Sequence, residues 1–447
     1  MSANPAATIF ALSSGSGRAG VAIIRLSGNS AFAAYAALCP DEPLPPPQRV
    51  QRVTLIAPDS DDVIDHGLAL IFRAPRSYTG EDVVEFHVHG GPAVIQAMLQ
   101  TLGRVDGLRM AEAGEFTRRA FENGKIDLTA AEGIGDLVAA STEAQRRQAV
   151  SQAGGVFAAA IGDWRARLIR LMAHSEAEID FPDEDLPDGI AAQARADVMV
   201  LAKELSRVLD DRHRGEVIRD GVRVAIIGPP NVGKSSLLNC LARRDVAIVS
   251  DHPGTTRDVL EVHLDLGGYP VTVWDTAGLR ETADRVEAEG VRRALARAAA
   301  ADVTLALREF GQTPDHYGAS GDATAKKRIF LRTKCDLAAK TAESVSIPGE
   351  IAVSSKTGAG IGDLLECLIA VVASRFGSVE PAVITRERHR QCLRSAVDAL
   401  GRAETAVSSE LFSEDIRLAV RALESVIGRV DVEQILDVVF RDFCIGK

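Results

Sequence analysis

The sequence predicts a multidomain protein: an N-terminal α+β domain, a helical domain, and an α/β domain inserted into the helical one. Three patterns lead to this prediction. Strand-like runs mix with short helical segments over residues 1–120, helical periodicity dominates residues 121–220 and 377–447, and strands alternate with helices over residues 221–376. Such an insertion is tolerated because the two termini of a domain often lie close together.

The composition is that of an ordinary globular protein. The 447 residues are 46% hydrophobic and 25% charged, which supplies a full core. The formal net charge of −11 argues against broad, nonspecific binding to phosphate backbones. Six cysteines without a C-x-x-C pair argue against zinc and disulfide frameworks. No apolar run is long enough for a bilayer span and no leader pattern is present, so a cytoplasmic location is expected.

Alternation of apolar and polar residues predicts the strands of the first domain. Strand-like runs cover residues 8–13, 21–26, 52–56, 67–72 and 82–89, and helical segments cover residues 31–38 and 92–102. The glycines at 15, 17 and 20 precede a strand. A dinucleotide-binding loop follows its strand, so that reading is weak here.

Long helices are predicted over residues 128–180 and 190–215, which are rich in Ala, Leu, Glu and Arg at helical spacing. The pair Gly154-Gly155 is expected to interrupt the first helix. The segment 181–189 contains the first proline of this region and is expected to turn the chain. The helical pattern returns after about residue 380.

A phosphate-binding loop is predicted at residues 228–235, which read G-P-P-N-V-G-K-S. The apolar run before it predicts a buried strand, and Leu237, Leu238 and Leu241 after it predict one face of a helix. Glycines let backbone N–H groups turn toward an anion, and the helix N-terminus adds partial positive charge. Lys234 is expected to reach the β- and γ-phosphates, and the Ser235 hydroxyl to bind Mg²⁺.

Two motifs downstream stand at the spacing typical of G proteins. In G-T-T-R-D, residues 254–258, Thr256 can offer Mg²⁺ a second hydroxyl. In V-T-V-W-D-T-A-G, residues 271–278, a strand delivers Asp275 toward the metal. The Gly278 N–H can bond the γ-phosphate and move when that phosphate leaves, which is the logic of a nucleotide switch. The inserted domain is therefore predicted to be a Ras-like P-loop GTPase domain.

Guanine selectivity is predicted from R-I-F-L-R-T-K-C-D, residues 328–336. The Asp336 carboxylate can accept hydrogen bonds from guanine N1–H and from the 2-amino group, a pattern that adenine lacks. The stem of Lys334 is expected to pack on the base. Many G proteins have Asn where this chain has Thr333. The triplet S-S-K at 354–356 fits the last guanine loop.

The residue after D-T-A-G is Leu279, where Ras-type GTPases have the glutamine that orients the attacking water. Another group must therefore position that water. Arg257 and Arg280 are candidates for an internal arginine finger, although exposed loop arginines are more often solvated.

With their flanks, these motifs resemble the MnmE (TrmE) family of tRNA-modification GTPases over nearly the whole chain. The stretches G-V-A-I-I-R-L-S-G and S-Y-T-G-E-D-V-V-E-F-H-V-H-G-G-P are similar to its N-terminal domain. The stretch G-E-F-T-R-R-A-F-E-N-G-K-I-D-L is similar to the start of its helical domain. The closing F-C-I-G-K, residues 443–447, is similar to its C-terminal motif.

The resemblance implies a GTP hydrolase that acts with an FAD-dependent protein of the MnmG (GidA) type. Together the two add an aminomethyl or carboxymethylaminomethyl group to carbon 5 of the wobble uridine of tRNA. The one-carbon unit comes from a 5-formyl- or methylene-tetrahydrofolate. The resemblance also implies a homodimer through the folate-binding N-terminal domain, a heterotetramer with the flavoprotein, and no membrane.

The resemblance further implies residue roles, including potassium in place of an arginine finger. Glu287 would orient the attacking water. Folate would contact Arg25, Glu85, Lys125 and Lys447. Mg²⁺ would take Ser235 and Thr256, and K⁺ would take Asn231, Ser250, His252 and Thr255. The residues expected at GTP are Asn231, Val232, Gly233, Lys234, Ser235, Ser236, Ser250, Asp251, His252, Pro253, Gly254, Thr255, Thr256, Asp275, Thr276, Ala277, Gly278, Thr333, Lys334, Cys335, Asp336, Ser354, Ser355 and Lys356.

Two other functions fit part of the pattern. A GTP-switched binding module for ribosome assembly would share the P-loop, but such proteins usually carry a basic RNA module that this acidic chain lacks. A folate-dependent methyltransferase acting without a partner would need to turn over alone.

Overall fold

The structure is a computed structural model. It describes residues 7–15, 17–180, 190–244, 246–247, 261–275, 301–311, 327–340, 349–376 and 383–430, with Leu436, Val439, Phe440, Phe443 and Gly446. Its contacts divide the chain into two compact units. Unit 1 comprises Met1–Gly135, Ala153–Ile169 and Val420–Lys447, and unit 2 comprises Asp136–Gln152 and Arg170–Ala419. This division is coarser than the four segments drawn from the sequence, whose boundaries stay predictions.

The described strands are β1 Thr8–Leu12, β2 Ala19–Ser27, β3 Gln51–Ile56, β4 Val63–Phe72, β5 Val83–Gly90, β6 Leu108–Met110, β7 Val222–Ile227, β8 Glu261–Leu266, β9 Tyr269–Asp275, β10 Val303–Glu309, β11 Arg328–Thr333 and β12 Glu350–Ala352. The described helices are α1 Ala31–Leu38, α2 Pro92–Leu102, α3 Glu115–Glu122, α4 Leu128–Ala139, α5 Glu143–Ala153, α6 Val156–Asp180, α7 Ile190–Leu209, α8 Arg214–Asp220, α9 Lys234–Ala242, α10 Ile361–Phe376, α11 Glu387–Glu404 and α12 Ser409–Ile427.

Unit 1 contains a mixed sheet in the order β3-β4-β5-β2-β1-β6. One face is apolar because side chains alternate along each strand: on β5, Val84 and Phe86 are fully buried while Glu85 points to the opposite face. Helices α1 and α2 cover the apolar face with Tyr35 and Met98 among the buried side chains. The polar face is left for the candidate site described below.

A short aromatic cluster closes the helical part of unit 1. Phe440 packs between Phe121 and Phe443, with ring centroids 6.5 and 5.8 Å apart. Leu128 at the start of α4 joins the same cluster. The residues near the C-terminus are therefore part of a core with α3 and α4.

Unit 2 contains a second sheet in the order β12-β11-β10-β7-β9-β8, parallel except for β8. Its central strands are continuous apolar runs, as expected of strands that are covered on both faces. Leu237, Leu238 and Leu241 of α9 are buried in the core, which confirms the predicted apolar face. Outside this sheet, α11 lies against α7.

Most predicted elements are present. The five predicted strands of the first domain match β1 to β5, and α1 and α2 have the predicted bounds. The interruption at residues 154–155 is confirmed. Three features were not predicted: the short strand β6, helix α3, and a second break that separates α4 from α5. Among the helices within the described ranges, none combines the length and apolar character that a bilayer span requires.

Candidate functional site

The phosphate-binding loop joins β7 to α9, as predicted. Gly228 has φ +154°, and a Cβ there would lie 2.7 Å from the Leu307 carbonyl oxygen, so only glycine fits. Gly233, with φ +102°, and Asn231, with φ +60°, also adopt left-handed conformations. These turns bring the loop back over the end of β7, where α9 begins at Lys234.

The lysine of the loop is buried at the loop itself. Lys234 Nζ donates to the carbonyl oxygens of Gly228, at 2.9 Å, and of Pro229, at 2.8 Å. The ammonium group thus lies inside the curve of the loop, at the N-terminus of α9. A positive charge and free helix N–H groups at one point make this an anion-binding position.

The predicted guanine loop begins where β11 ends. Thr333 is the last residue of the strand, Lys334 has φ +60°, and a 3-10 turn, Cys335–Lys340, follows. Lys334 Nζ pairs with Glu309 Oε1 at 2.9 Å. This contact joins the loop to the end of β10, the neighbouring parallel strand.

Asp336 is held by the second predicted guanine loop. Ser354 Oγ donates to Asp336 Oδ1 at 2.7 Å, and Cys335 N donates to the Val353 carbonyl oxygen at 3.2 Å. The Ser354 hydrogen bond, aided by the charge of Lys356, lowers the pKa of Asp336 below its ordinary value. The carboxylate is therefore ionised near neutral pH and can only accept hydrogen bonds, as contacts with guanine N–H groups require.

These loops share one cavity of about 250 Å³. It is lined by Val232, Gly233, Ser236, Thr333, Lys334, Asp336, Leu337, Ser355 and Lys356. The structure thus brings residues of the P-loop, the T-K-C-D loop and the S-S-K loop together. Leu337 was not predicted, because nothing in its sequence position distinguishes it from any residue after the motif. Glu309, which holds Lys334, was missed for the same reason.

Several predicted residues lie outside the described part of the chain, and their roles stay predictions. They are Ser250, Asp251, His252, Pro253, Gly254, Thr255, Thr256, Thr276, Ala277, Gly278, Glu287 and Lys447, together with Arg257, Leu279 and Arg280. Asp275 is described as the end of β9, in register with Ile226 on β7. That strand therefore ends beside the one that enters the P-loop.

In unit 1, the structure places Arg25 beside Glu85 on the polar face of the sheet. Arg25 Nε donates to Glu85 Oε1 at 2.8 Å. The guanidinium also lies over the rings of Tyr78 and Phe116, 5.6 and 5.7 Å from their centroids. His87 Nε2 stands 3.7 Å from Glu85 Oε2. The resemblance had not indicated Tyr78, Phe116 or His87, and only alternation along β5 could have placed His87 on the same face.

Two further contacts bear on the predicted folate residues. Lys125 Nζ donates to the Pro75 carbonyl oxygen at 2.8 Å, in the loop that also carries Tyr78. Ser13 Oγ donates to the Gly446 carbonyl oxygen at 2.8 Å. Gly446 has φ +98°, and a Cβ there would lie 2.0 Å from the Leu12 carbonyl oxygen. The end of the chain is thus seated at the end of β1, beside the strand that bears Arg25.

Together, the parallel sheet, the P-loop and the two loops at Asp336 define a P-loop domain of the GTPase type. Comparisons with known proteins give the family. A model described as the MnmE helical domain matches residues 128–444, and one described as the GTP-binding protein TrmE N-terminus matches residues 8–125.

Curated relatives match along their full length. A protein of Parvibaculum lavamentivorans is 52% identical over 446 residues, covering 98% of this chain and 100% of the relative. Proteins of Paramagnetospirillum magneticum and Rhodospirillum rubrum are each 51% identical, covering 98% of this chain and 99% of the relative. All three are named tRNA modification GTPase MnmE. The chain belongs to the MnmE (TrmE) family of tRNA-modification GTPases.

Proposed function

We propose that the protein is a potassium-dependent GTPase of tRNA modification. With an FAD-dependent partner of the MnmG (GidA) type, it adds an aminomethyl or carboxymethylaminomethyl group to carbon 5 of the wobble uridine. Family membership supports the proposal. The observation that carries it is the cavity in which the P-loop meets the Asp336 carboxylate bonded to Ser354.

The described residues have clear roles in this proposal. Asp336 accepts hydrogen bonds from the guanine N1–H and 2-amino groups, and its lowered pKa keeps it an acceptor. Lys234 leaves its loop carbonyls for the β- and γ-phosphates. The first turn of α9 directs N–H groups at the same phosphates. Water then attacks the γ-phosphorus, the bond to the β–γ bridging oxygen breaks, and GDP and phosphate leave.

The cation sites fit the donors that the chain offers. Ser235, at the first turn of α9, offers a hydroxyl oxygen of the kind that Mg²⁺ prefers. Asn231 is exposed on the P-loop in a left-handed conformation, so its side chain is accessible to a monovalent cation. Thr256 for Mg²⁺, and Ser250, His252 and Thr255 for K⁺, complete the proposed sets. When bound, the two cations would neutralise charge that develops on the phosphates.

The polar face of the unit 1 sheet is the proposed folate site. Glu85 is held through one oxygen by Arg25, which leaves carboxylate oxygen for the N–H groups of a pterin. Lys125, and Lys447 beside the seated Gly446, would pair with the carboxylates of a glutamate tail. The proposed assembly is a homodimer through unit 1, joined to the flavoprotein as a heterotetramer, with tRNA as substrate. Action in the cytoplasm is part of the proposal.

Steady-state GTP hydrolysis in potassium and in sodium, at matched ionic strength, tests the cation and the nucleotide together. We expect strong stimulation by potassium and its loss in Asn231→Ala. Equal rates in both salts would remove the cation site from the proposal. Glu287→Ala should cut turnover sharply while nucleotide binding survives, and unchanged turnover would refute that role.

The modification itself is tested in the cell. A strain that lacks the gene should contain wobble uridine without the C5 group, as measured by mass spectrometry of tRNA nucleosides. Complementation with the parent gene should restore the group. Full modification in the deleted strain would refute the proposal, and GTP-dependent ribosome co-sedimentation with normal tRNA would favour an assembly role.

A further inference from the structure

The side chain of Thr333 is fully engaged inside the protein. It is 3% exposed, and its Oγ1 lies 2.7 Å from the Val232 carbonyl oxygen and 3.1 Å from the Arg308 carbonyl oxygen. Both partners are carbonyls, which only accept hydrogen bonds. A hydroxyl carries a single hydrogen, so that hydrogen is committed to the two carbonyls.

The shorter of these bonds links the two halves of the nucleotide cavity. Val232 belongs to the P-loop, directly before Gly233 and the first residue of α9. Thr333 is the last residue before the loop that carries Asp336. The Thr333 carbonyl oxygen also accepts a hydrogen bond from Phe310 N at 3.1 Å, which fixes the backbone on the other side. The hydroxyl thus sets the distance between the phosphate end and the base end of the cavity.

A guanine base that is seated against Asp336 presents two kinds of edge. Its N1–H and 2-amino groups donate to the carboxylate, whereas O6 and N7 are acceptors and need donors from the protein. Thr333 lines the cavity beside Asp336, but its only donor hydrogen is already used. An asparagine at this position would carry two N–H hydrogens and could retain the tie with one of them.

We propose that Thr333 is a positioning residue, which ties the P-loop to the guanine loop and does not read the base. The site therefore gains no affinity from a hydrogen bond between residue 333 and guanine N7. This inference rests on the proposed function, because it requires a guanine nucleotide in this cavity.

The test compares GDP with 7-deaza-GDP, in which a C–H replaces N7, on the full chain carrying Thr333, Thr333→Ser or Thr333→Val. Titration calorimetry measures both affinities for each protein. We expect Thr333→Val to weaken both nucleotides by the same factor, about tenfold, because the tie is lost whichever nucleotide is bound. Thr333→Ser retains the hydroxyl and should bind both nucleotides within about twofold of the parent.

Two results would overturn the proposal. The first is a loss in Thr333→Val confined to GDP, since that would mean that the hydroxyl reads N7. The second is an equal loss in Thr333→Ser and Thr333→Val, since the hydroxyl would then not be the tie. Valine matches threonine in shape, and the melting temperature of each variant without nucleotide verifies that unit 2 is folded.

Kinetics separate positioning from general damage. We expect Thr333→Val to raise the KM for GTP while kcat stays within about twofold, because the hydroxyl lies at the base end of the cavity. A fall in kcat at unchanged KM would contradict that role. If the parent binds neither guanine nucleotide better than ADP, the proposed function itself fails, and this outcome is distinct from the two above.

Discussion

Arg25 and Glu85 face each other across two antiparallel strands and form an ion pair, with Nε and Oε1 2.8 Å apart. They are register partners on β2 and β5, so the backbone itself places them together. The rings of Tyr78 and Phe116 shield the guanidinium. This pairing orients the carboxylate that we propose as the pterin-binding group.

Glu85→Gln tests this site. The amide keeps the size of the side chain, but it has one acceptor oxygen in place of two and turns N–H hydrogens toward either Arg25 or the ligand. We expect the affinity for 5-formyltetrahydrofolate to fall at least about tenfold in calorimetry. Asp59→Asn is the matched control, because Asp59 forms an exposed ion pair with Arg104 in the same unit. Equal folate binding by parent and Glu85→Gln would show that the ligand lies elsewhere.

Ser354→Ala tests how the guanine carboxylate is kept ionised. The Ser354 hydrogen bond lowers the pKa of Asp336, so removing it should raise that pKa toward the ordinary value. Guanine binding needs the carboxylate and is therefore lost as pH falls through this pKa. We expect GDP affinity in Ser354→Ala to begin its decline at a higher pH than in the parent, as followed by fluorescent GDP titration. Superimposable pH profiles would contradict this account of the Ser354 contact.

Gly228→Ala tests the strain-free path of the P-loop. A Cβ would meet the Leu307 carbonyl oxygen at 2.7 Å in a left-handed region of backbone, which costs about 1–3 kcal/mol. We expect GDP affinity to fall by at least about tenfold. Gly162→Ala is the control, because a Cβ there meets nothing within 4 Å, in the interior of α6. Unchanged affinity in Gly228→Ala would mean that this loop adjusts freely.

Arg390→Met tests a buried charge cluster in unit 2. Arg390 is 1% exposed, and its guanidinium bonds Asp211 and Glu216 at 2.7 and 2.8 Å. Removing the cation leaves two largely buried carboxylates unpaired, which costs about 3 kcal/mol of unfolding free energy. We expect a melting temperature lower by about 5–10 °C.

Arg394→Met is the control on the same helix, because Arg394 is half exposed and its ion pair with Glu387 is 3.4 Å long. Its effect should stay within about 0.5 kcal/mol. Equal melting temperatures for the two variants would show that the buried cluster contributes no more than a surface pair.

Local patterns were enough to predict most of the fold. Alternation gave β1 to β5, and the glycine pair gave the break between α5 and α6. The break between α4 and α5 was missed although a signal was present: Gln145 Oε1 accepts from Ser141 N and Thr142 N, while Gln145 N donates to the Thr142 hydroxyl. This is a capping box, T-x-x-Q, which begins a helix without glycine or proline. Strand β6 has only three residues and is too short to show a period.

The candidate sites divide in the same way. The P-loop and Asp336 could be predicted because each motif is contiguous and carries its own chemistry. The tie between Thr333 and Val232 spans 101 residues, and the contact between Arg25 and Phe116 also joins distant segments. Such contacts depend on how the strands are ordered, and no local pattern records that order.

The most direct test of the central claim, that Asp336 selects guanine in the P-loop cavity, is nucleotide preference in Asp336→Asn. An amide at this position donates where the carboxylate accepts, so it should favour xanthine, whose 2-oxo group is an acceptor. We expect the parent to prefer GDP over xanthosine diphosphate and Asp336→Asn to reverse that order. An unchanged preference for GDP in Asp336→Asn would contradict the placement of the base against this residue.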